Sequence, residues 1–369
     1  MGTIPPYRAE QVGSLLRPPA LLEARAAHAA GRLTRDALRA EEDRAILDSL
    51  SEQRRVGIDV CTDGELRRGS WLTGMAEAVE GFVPTRVPIE WQGPGGGVEG
   101  STAQVAGARL RKVQRLTGHE LPFLKEHAPG PIKITLPAPS NFLVTSYRPG
   151  ITDRVYRTRA EMLRDLVEIV RDEIQWLAAE GVPYVQLDAP YYSTYLDPRT
   201  RERLRQAGLD PERGLEEAIA ADNEAAQAGR RAGMVVGLHV CRGNSRSRWI
   251  AEGGYEAIAG PLFGRLDVDR FLLEYDSERA GGFEPLRLVP PGKTVVLGLI
   301  TTKGPGLESP DELRRRIDAA SRYVPLENLA LSPQCGFASV AAGNLVSADD
   351  QWRKLRLVVD TARQVWGSS

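Results

Sequence analysis

A chain of 369 residues, 42% apolar and 26% charged, has the make-up of a soluble enzyme and a length within the range of one α/β barrel domain. Its net charge of -1 gives no electrostatic footing for nucleic acid or an anionic membrane. No apolar run approaches the ~18 residues of a membrane span, and residues 1–10 carry no charged-then-apolar leader, so a cytoplasmic protein is expected.

Residues 11–18 read as a short first strand that breaks at Pro18, and an Ala-, Leu- and Arg-rich helix follows over 19–29. A second amphipathic helix over 34–56, with Thr34 as its N-cap, feeds a second strand over 57–62. That strand ends in Asp63-Gly64-Glu65, followed by Arg67, Arg68 and Trp71. Over 81–117 apolar and polar residues alternate around Gly93-Pro94-Gly95-Gly96-Gly97, which predicts a β-hairpin excursion too short to carry its own core. The third strand is 131–137. In the helix over 159–179 the leucines, isoleucines and Trp176 recur at helical spacing and so face a core.

The fourth strand is 182–190, with Asp188 where its apolar run stops. A helix over 215–229 leads to the fifth, which runs from Val235 into His239-Val240-Cys241 and a Gly243-Asn244 turn. The sixth and seventh are 269–276 and 294–300. A helix over 310–323, with Ser309 before it and Pro at its first position, precedes the eighth strand at 329–337, and a helix over 348–366 follows.

Eight short apolar strands alternating with helices predict a single (β/α)8 TIM barrel over residues 1–369, with the hairpin inserted after the second strand. In that fold the C-terminal strand ends carry the site, and Glu65, Asp188, His239, Cys241, Glu274 and Cys335 all lie at such ends. Side chains at i and i+2 of a strand share a side, so His239 and Cys241 can reach one ion together. The pair alone is weak, because a His and a Cys two apart are commonly core packing. With Glu274 and Cys335 the set becomes an imidazole, two thiolates and a carboxylate, donors that favour zinc over magnesium or calcium. Zinc there would lower the pKa of a bound thiol from its free value near ~8.5 and present a thiolate nucleophile. The structural alternative makes Cys241 and Cys335 buried hydrophobes and Glu274 a salt-bridged rim residue, with Glu65 and Asp188 paired at the surface to Arg67, Arg68 or Arg246. Three cysteines, the third being Cys61, are too few for a disulfide framework.

Taken together, Val12-Gly13-Ser14, Thr62-Asp63-Gly64-Glu65, Gln186-Leu187-Asp188-x-Pro190, His239-x-Cys241, Glu274 and Pro333-x-Cys335-Gly336-Phe337 carry a resemblance. Over nearly its whole length the chain resembles the catalytic barrel of cobalamin-independent methionine synthase. That family moves a methyl group from a methyltetrahydrofolate to the zinc-bound thiolate of homocysteine. The resemblance implies zinc ligands His239, Cys241, Glu274 and Cys335. It implies that Val12, Gly13 and Ser14 hold the amino-acid carboxylate, while Glu65 and Asp188 grip its ammonium through charge-assisted hydrogen bonds.

The chain also departs from the family. Full-length members carry an N-terminal barrel that helps bind the polyglutamylated folate, for which this chain has no room. Asp188-Ala189-Pro190 stands in place of Asp-Glu-Pro, and Thr194 in place of a carboxylate that serves the pterin. Lys303, in Thr301-Thr302-Lys303-Gly304, aligns with the family's proton-donating histidine. A lysine there either protonates a leaving nitrogen, binds an anionic group or is a solvated loop residue. The pattern is similar to short single-barrel relatives, some of which take methyl from a methylcobalamin protein. Others join or cleave carbon-sulfur bonds, as epoxyalkane:coenzyme M transferase does. A metal-free barrel similar to uroporphyrinogen decarboxylase is disfavoured by His-x-Cys and Pro-x-Cys-Gly. The expected activity is therefore zinc-dependent methylation of homocysteine to methionine, with methyltetrahydrofolate or a methylcobalamin protein as donor. The alternative is a thiol transferase or carbon-sulfur lyase acting on another small thiol.

Overall fold

The computed structural model describes residues 6–367. A hairpin, β1 (Val79–Trp91) and β2 (Gly97–Lys112), precedes six short strands: β3 (Lys133–Pro137), β4 (Tyr184–Asp188), β5 (Val235–Val240), β6 (Arg270–Glu274), β7 (Thr294–Ile300) and β8 (Leu329–Pro333). The six form one parallel sheet in chain order, β3 to β8, in an α/β fold. Every residue of these strands is buried, which is why they read as apolar runs rather than as alternation. Helices follow the strands, and the two longest in mid-chain, Arg159–Ala179 and Pro211–Arg231, turn their apolar sides inward. The second of these begins four residues before the expected start at 215, because Asp210 caps it by accepting from the Glu212 and Arg213 amides. Among the described residues no helix is long and apolar enough to cross a membrane.

The expected first and second strands need correction. Residues 11–18 and 57–62 form no regular strand; the ladder touches these regions only through single bridges, Ala9 to Leu331 and Cys61 to Ile132. Glu10 N donates to Leu331 O at 3.0 Å, Asp59 N to Ala9 O at 3.0 Å, and Cys61 N to Pro131 O at 2.8 Å, so these bonds link the β8 and β3 edges of the sheet. The backbone beyond them is claimed by other partners. Val12 O accepts from Gln186 Nε2 at 2.6 Å, Gly13 O from Thr62 Oγ1 at 2.9 Å and Ser14 O from Phe337 N at 2.8 Å. Gln53 brackets Thr62, accepting from its amide and donating to its carbonyl. A polar group satisfied by a side chain has no further need of a ladder partner.

The two ends of the sheet differ in chemistry. At the starting end Glu10 is fully buried and receives Lys133 Nζ at 3.1 Å, Arg270 Nη2 at 2.7 Å and Tyr184 OH at 3.1 Å. These partners are the first residues of β3, β6 and β4, so a paired charge cluster fills that end and leaves the opposite one for a site. The hairpin starts two residues earlier than expected and ends at Lys112. Its tip reaches the loop after β5, where Gln92 and Trp249 exchange backbone hydrogen bonds and Arg248 pairs with Glu99 through both guanidinium nitrogens.

Candidate metal centre and its surroundings

His239 lies on β5 and Cys241 one residue past its end, while Cys335 follows β8. The three donor atoms lie within 4.8 Å of one another, and all three side chains are buried. His239 Nδ1 faces Leu272 O at 3.2 Å, and because a carbonyl only accepts, the ring donates from Nδ1. Nε2 is buried without a hydrogen-bond partner. The two sulfurs are 3.9 Å apart. Two thiolates on a tetrahedral zinc with bonds of ~2.3 Å would sit ~3.8 Å apart, so the donor set fits that ion. The Cys241 sulfhydryl and His239 hold Cys335 well below the usual thiol range, and the same sulfur contact, together with burial, pushes Cys241 well above it.

Glu274 ends β6 and is fully buried, but it stands outside the three-donor cluster. Its Oε2 accepts from the Arg242 amide at 2.8 Å and its Oε1 from Arg279 Nη2 at 2.8 Å. Burial alone would raise this carboxyl's pKa, but Arg242, Arg279 and Lys303 outweigh it and hold the group below its ordinary value.

Of the residues expected to clamp an amino acid, Asp188 ends β4 in register with His239 on β5. Gly13 has φ +153°, and a Cβ there would lie 2.8 Å from Thr135 Cγ2 and 3.1 Å from Glu65 Oε1, so only glycine lets the backbone pass this close. Glu65 adopts φ +54°, a conformation that costs a non-glycine residue about 1–3 kcal/mol. Its Oε1 accepts from Thr135 Oγ1 at 2.9 Å, while Oε2 is buried with no partner. Asp188 Oδ1 accepts from Gln186 Nε2 at 2.7 Å, and burial, with Glu65 adding to it, pushes this carboxyl up to about 7. Neither carboxylate is a surface residue. Arg67 turns to Asp43, and Arg68 pairs with Glu120 at 2.6 Å while standing 3.8 Å from Glu65. Ser14 packs against the residue after Cys335, where a Cβ on Gly336 would collide with its hydroxyl.

Lys303 is half-buried and bonded to the loop after β5. Its ammonium donates to Gly243 O at 3.1 Å, Asn244 Oδ1 at 2.9 Å and Arg248 O at 3.2 Å, which occupies all three protons and pins the loop after β5. Sequence reasoning missed the asparagines that complete this tie. Asn244 donates to Gly336 O at 2.7 Å, and Asn344 donates to Asn244 Oδ1 at 3.0 Å. The turn signal of Gly243-Asn244 marked the first of them; nothing local marks the second. Arg242, which is buried, and Arg279, which is half-buried, hold Glu274 and were missed as well, because such arginines carry no periodic signature.

The sequence matches the cobalamin-independent synthase catalytic-domain family over residues 9–364. The chain belongs to that family. Among its relatives, the YxjH protein of Bacillus subtilis is 37% identical over 98% of this chain and 95% of its own length. The methionine synthase of Sulfurisphaera tokodaii is 24% identical over 91% of this chain and 87% of its own. A crystal structure described as a putative vitamin-B12 independent methionine synthase from Listeria monocytogenes superposes with a TM-score of 0.73 at 29% identity, covering 100% of both chains. Membership in this family makes the chain a methyltransferase-like catalytic domain, and its members are in general zinc-dependent.

Proposed function

We propose that this chain is a cytoplasmic, zinc-dependent S-methyltransferase that converts homocysteine to methionine on a single closed (β/α)8 barrel with a hairpin insertion. The observation that carries the reading is the buried, unpartnered Nε2 of His239 clustered with two sulfurs 3.9 Å apart. Relatives named as methionine synthases support it. His239, Cys241 and Cys335 would hold the ion, with Glu274 beside them, and zinc bound there would supply the Lewis acidity that keeps a substrate thiol deprotonated.

Chain residues do the rest. Val12, Gly13 and Ser14 border the amino-acid carboxylate. The unpartnered Oε2 of Glu65 and the Asp188 carboxylate take its ammonium in a pocket dry enough to strengthen both contacts. The sulfur attacks the donor methyl carbon, the new carbon-sulfur bond forms, and the donor keeps the electron pair of the broken bond. The donor is a methylated folate or a methylcobalamin protein. A folate nitrogen must gain a proton on leaving; a corrinoid need not. One observation favours a second reading. With all three Lys303 protons engaged by the loop, no lysine proton is offered to a leaving nitrogen, which suits alkyl transfer or carbon-sulfur cleavage on another small thiol.

Metal analysis and donor assays test the proposal together. Purified protein is expected to hold near-stoichiometric zinc, Cys241→Ser to lose it, and methionine to form from homocysteine with methyltetrahydrofolate, its polyglutamate or methylcobalamin. Trace zinc combined with full activity of Cys241→Ser would end this reading.

A further inference from the structure

Arg17 is buried, and among the described residues all of its hydrogen bonds go to backbone carbonyls. Its Nη1 donates to Leu15 O at 3.3 Å and to Ala338 O, and its Nη2 to Glu65 O at 2.9 Å and Arg68 O at 3.0 Å. One guanidinium thus joins the segment after Ser14, the turn over residues 63–68 and the segment after Cys335. Burial lowers Arg17 to about 10 while Glu65 and Asp63 oppose the fall, so both carboxyls feel its charge. The turn it holds is strained. Gly64 and Glu65 have φ +68° and +54°, and Asp63 Oδ1 accepts from the Glu65 amide at 2.8 Å. A non-glycine residue stays in that region only where its surroundings over-determine it, and the bonds to Glu65 O and Arg68 O bracket it from outside.

We propose that Arg17 is a positioning residue that fixes the Glu65 turn through backbone carbonyls alone, and so sets a positive charge near the Glu65 carboxylate without occupying its free oxygen. This rests on the reading above, in which that oxygen takes a substrate ammonium, and carries it further. Glu65 Oε2 is buried without a partner, and an anion so placed needs a cation nearby before any substrate arrives. Arg68 stands 3.8 Å from Oε1, but Glu120 engages it at 2.6 Å. A cation in contact with Oε2 would fill the place of the ammonium. Arg17 avoids this, because neutral carbonyls take up its protons and leave its charge uncancelled. The same bonds hold the turn against the segments of Ser14 and Cys335, so the oxygen keeps its place relative to both. A lysine cannot do all of this, since its ammonium has three protons and no planar fork.

The test uses the full zinc-loaded chain and calorimetric binding of two thiols, homocysteine and γ-mercaptobutyrate, which is homocysteine without its amino group. Wild-type protein is expected to prefer homocysteine by more than about thirtyfold. Arg17→Lys keeps the charge and loses the fork, and is expected to cut that preference about threefold; Arg17→Gln loses the charge as well and cuts it about tenfold or more. Both variants are expected to bind γ-mercaptobutyrate within about twofold of wild type, since that thiol does not use the free Glu65 oxygen. In a Glu65→Gln background neither Arg17 substitution changes the preference, because the arginine acts through that carboxylate. If Arg17→Gln fails to fold, as read by circular dichroism, Arg17→Lys carries the comparison. An equal loss of affinity for the two thiols marks a residue that only holds the fold together and overturns the inference, as does a further drop in preference in the Glu65→Gln background. Wild-type protein that takes up no stoichiometric zinc, or that binds the two thiols alike, overturns the parent reading and this one together; a wild-type preference that survives undiminished in the Arg17 variants overturns only this one.

Discussion

Single atoms decide much at this site. His239 suits a ligand role because its Nδ1 faces the Leu272 carbonyl, while Nε2 has no partner in a buried place. Glycines decide how closely the surrounding backbone approaches. Gly336 follows Cys335 directly, and a methyl group there would collide with Ser14 Oγ and lie 3.2 Å from the Ser14 amide nitrogen. The hydroxyl can rotate but the amide cannot, so Gly336→Ala forces backbone movement between the clamp and the thiol cluster. It is expected to cost about 1–3 kcal/mol by urea unfolding and to raise the homocysteine KM severalfold. An alanine variant with wild-type unfolding midpoint and KM would show that Ser14 is not pressed against the centre. His239, Cys241 and Cys335 were legible in the sequence as candidate ligands, since strand-end position and i, i+2 spacing are local properties. The Asn344 contact was not, because it joins residues a hundred positions apart.

At the level of elements, the loop after β5 is the joint between hairpin and site. Lys303 ties it from the β7 side, and the Arg248–Glu99 pair and the Gln92–Trp249 bridge tie it from the hairpin side. Lys303→Met removes three hydrogen bonds at once. It is expected to speed amide exchange across residues 243–249, to lower stability by about 1–3 kcal/mol and to reduce kcat. Lys303→Arg is expected not to restore the loop, because a planar guanidinium cannot meet three acceptors disposed around an ammonium. Should exchange stay at wild-type rates while the pH-rate profile loses its alkaline limb, Lys303 acts as a proton donor and not as a tether. The same scale explains the two misread strands. Their apolar pattern was correct, but Gln53, Gln186 and Thr62 take up the backbone groups a ladder would use, and no local pattern announces a partner such as Gln186, 174 positions from Val12.

Over the whole molecule, buried carboxyls shape the response to pH. Asp222, which accepts from Ser140 and Tyr192, is pushed up to about 6 by burial. Asp63 is pushed up to about 7 by burial, with Glu120 adding to it. A carboxyl raised on folding contributes stability that is fully present below its unfolded value and is lost as pH rises through the folded one. Glu10 and Glu120 run the other way. Burial would raise them, but Arg270 and Lys133 for the first, and Arg68 for the second, hold them below their ordinary values. Their contribution is present above the unfolded value and is lost as pH falls through the folded one. Metal-free protein is therefore expected to have its highest unfolding midpoint near about pH 4 to 5, just above the unfolded carboxyl values, and to weaken as pH rises to about 7, with Asp222→Asn flattening part of that decline. A midpoint still rising between pH 6 and 8 would contradict it. The sequence by itself determined which segments are apolar runs, where each stops and that His239, Cys241 and Cys335 stand at such stops, because hydrophobic periodicity and chain direction act over a few residues. Only the tertiary structure decided that Glu274 turns to Arg279, that Lys303 serves a loop and that Glu10, Lys133 and Arg270 neutralise one another within the sheet. Those outcomes depend on which charges meet once water has been excluded, and distance along the chain says nothing about that.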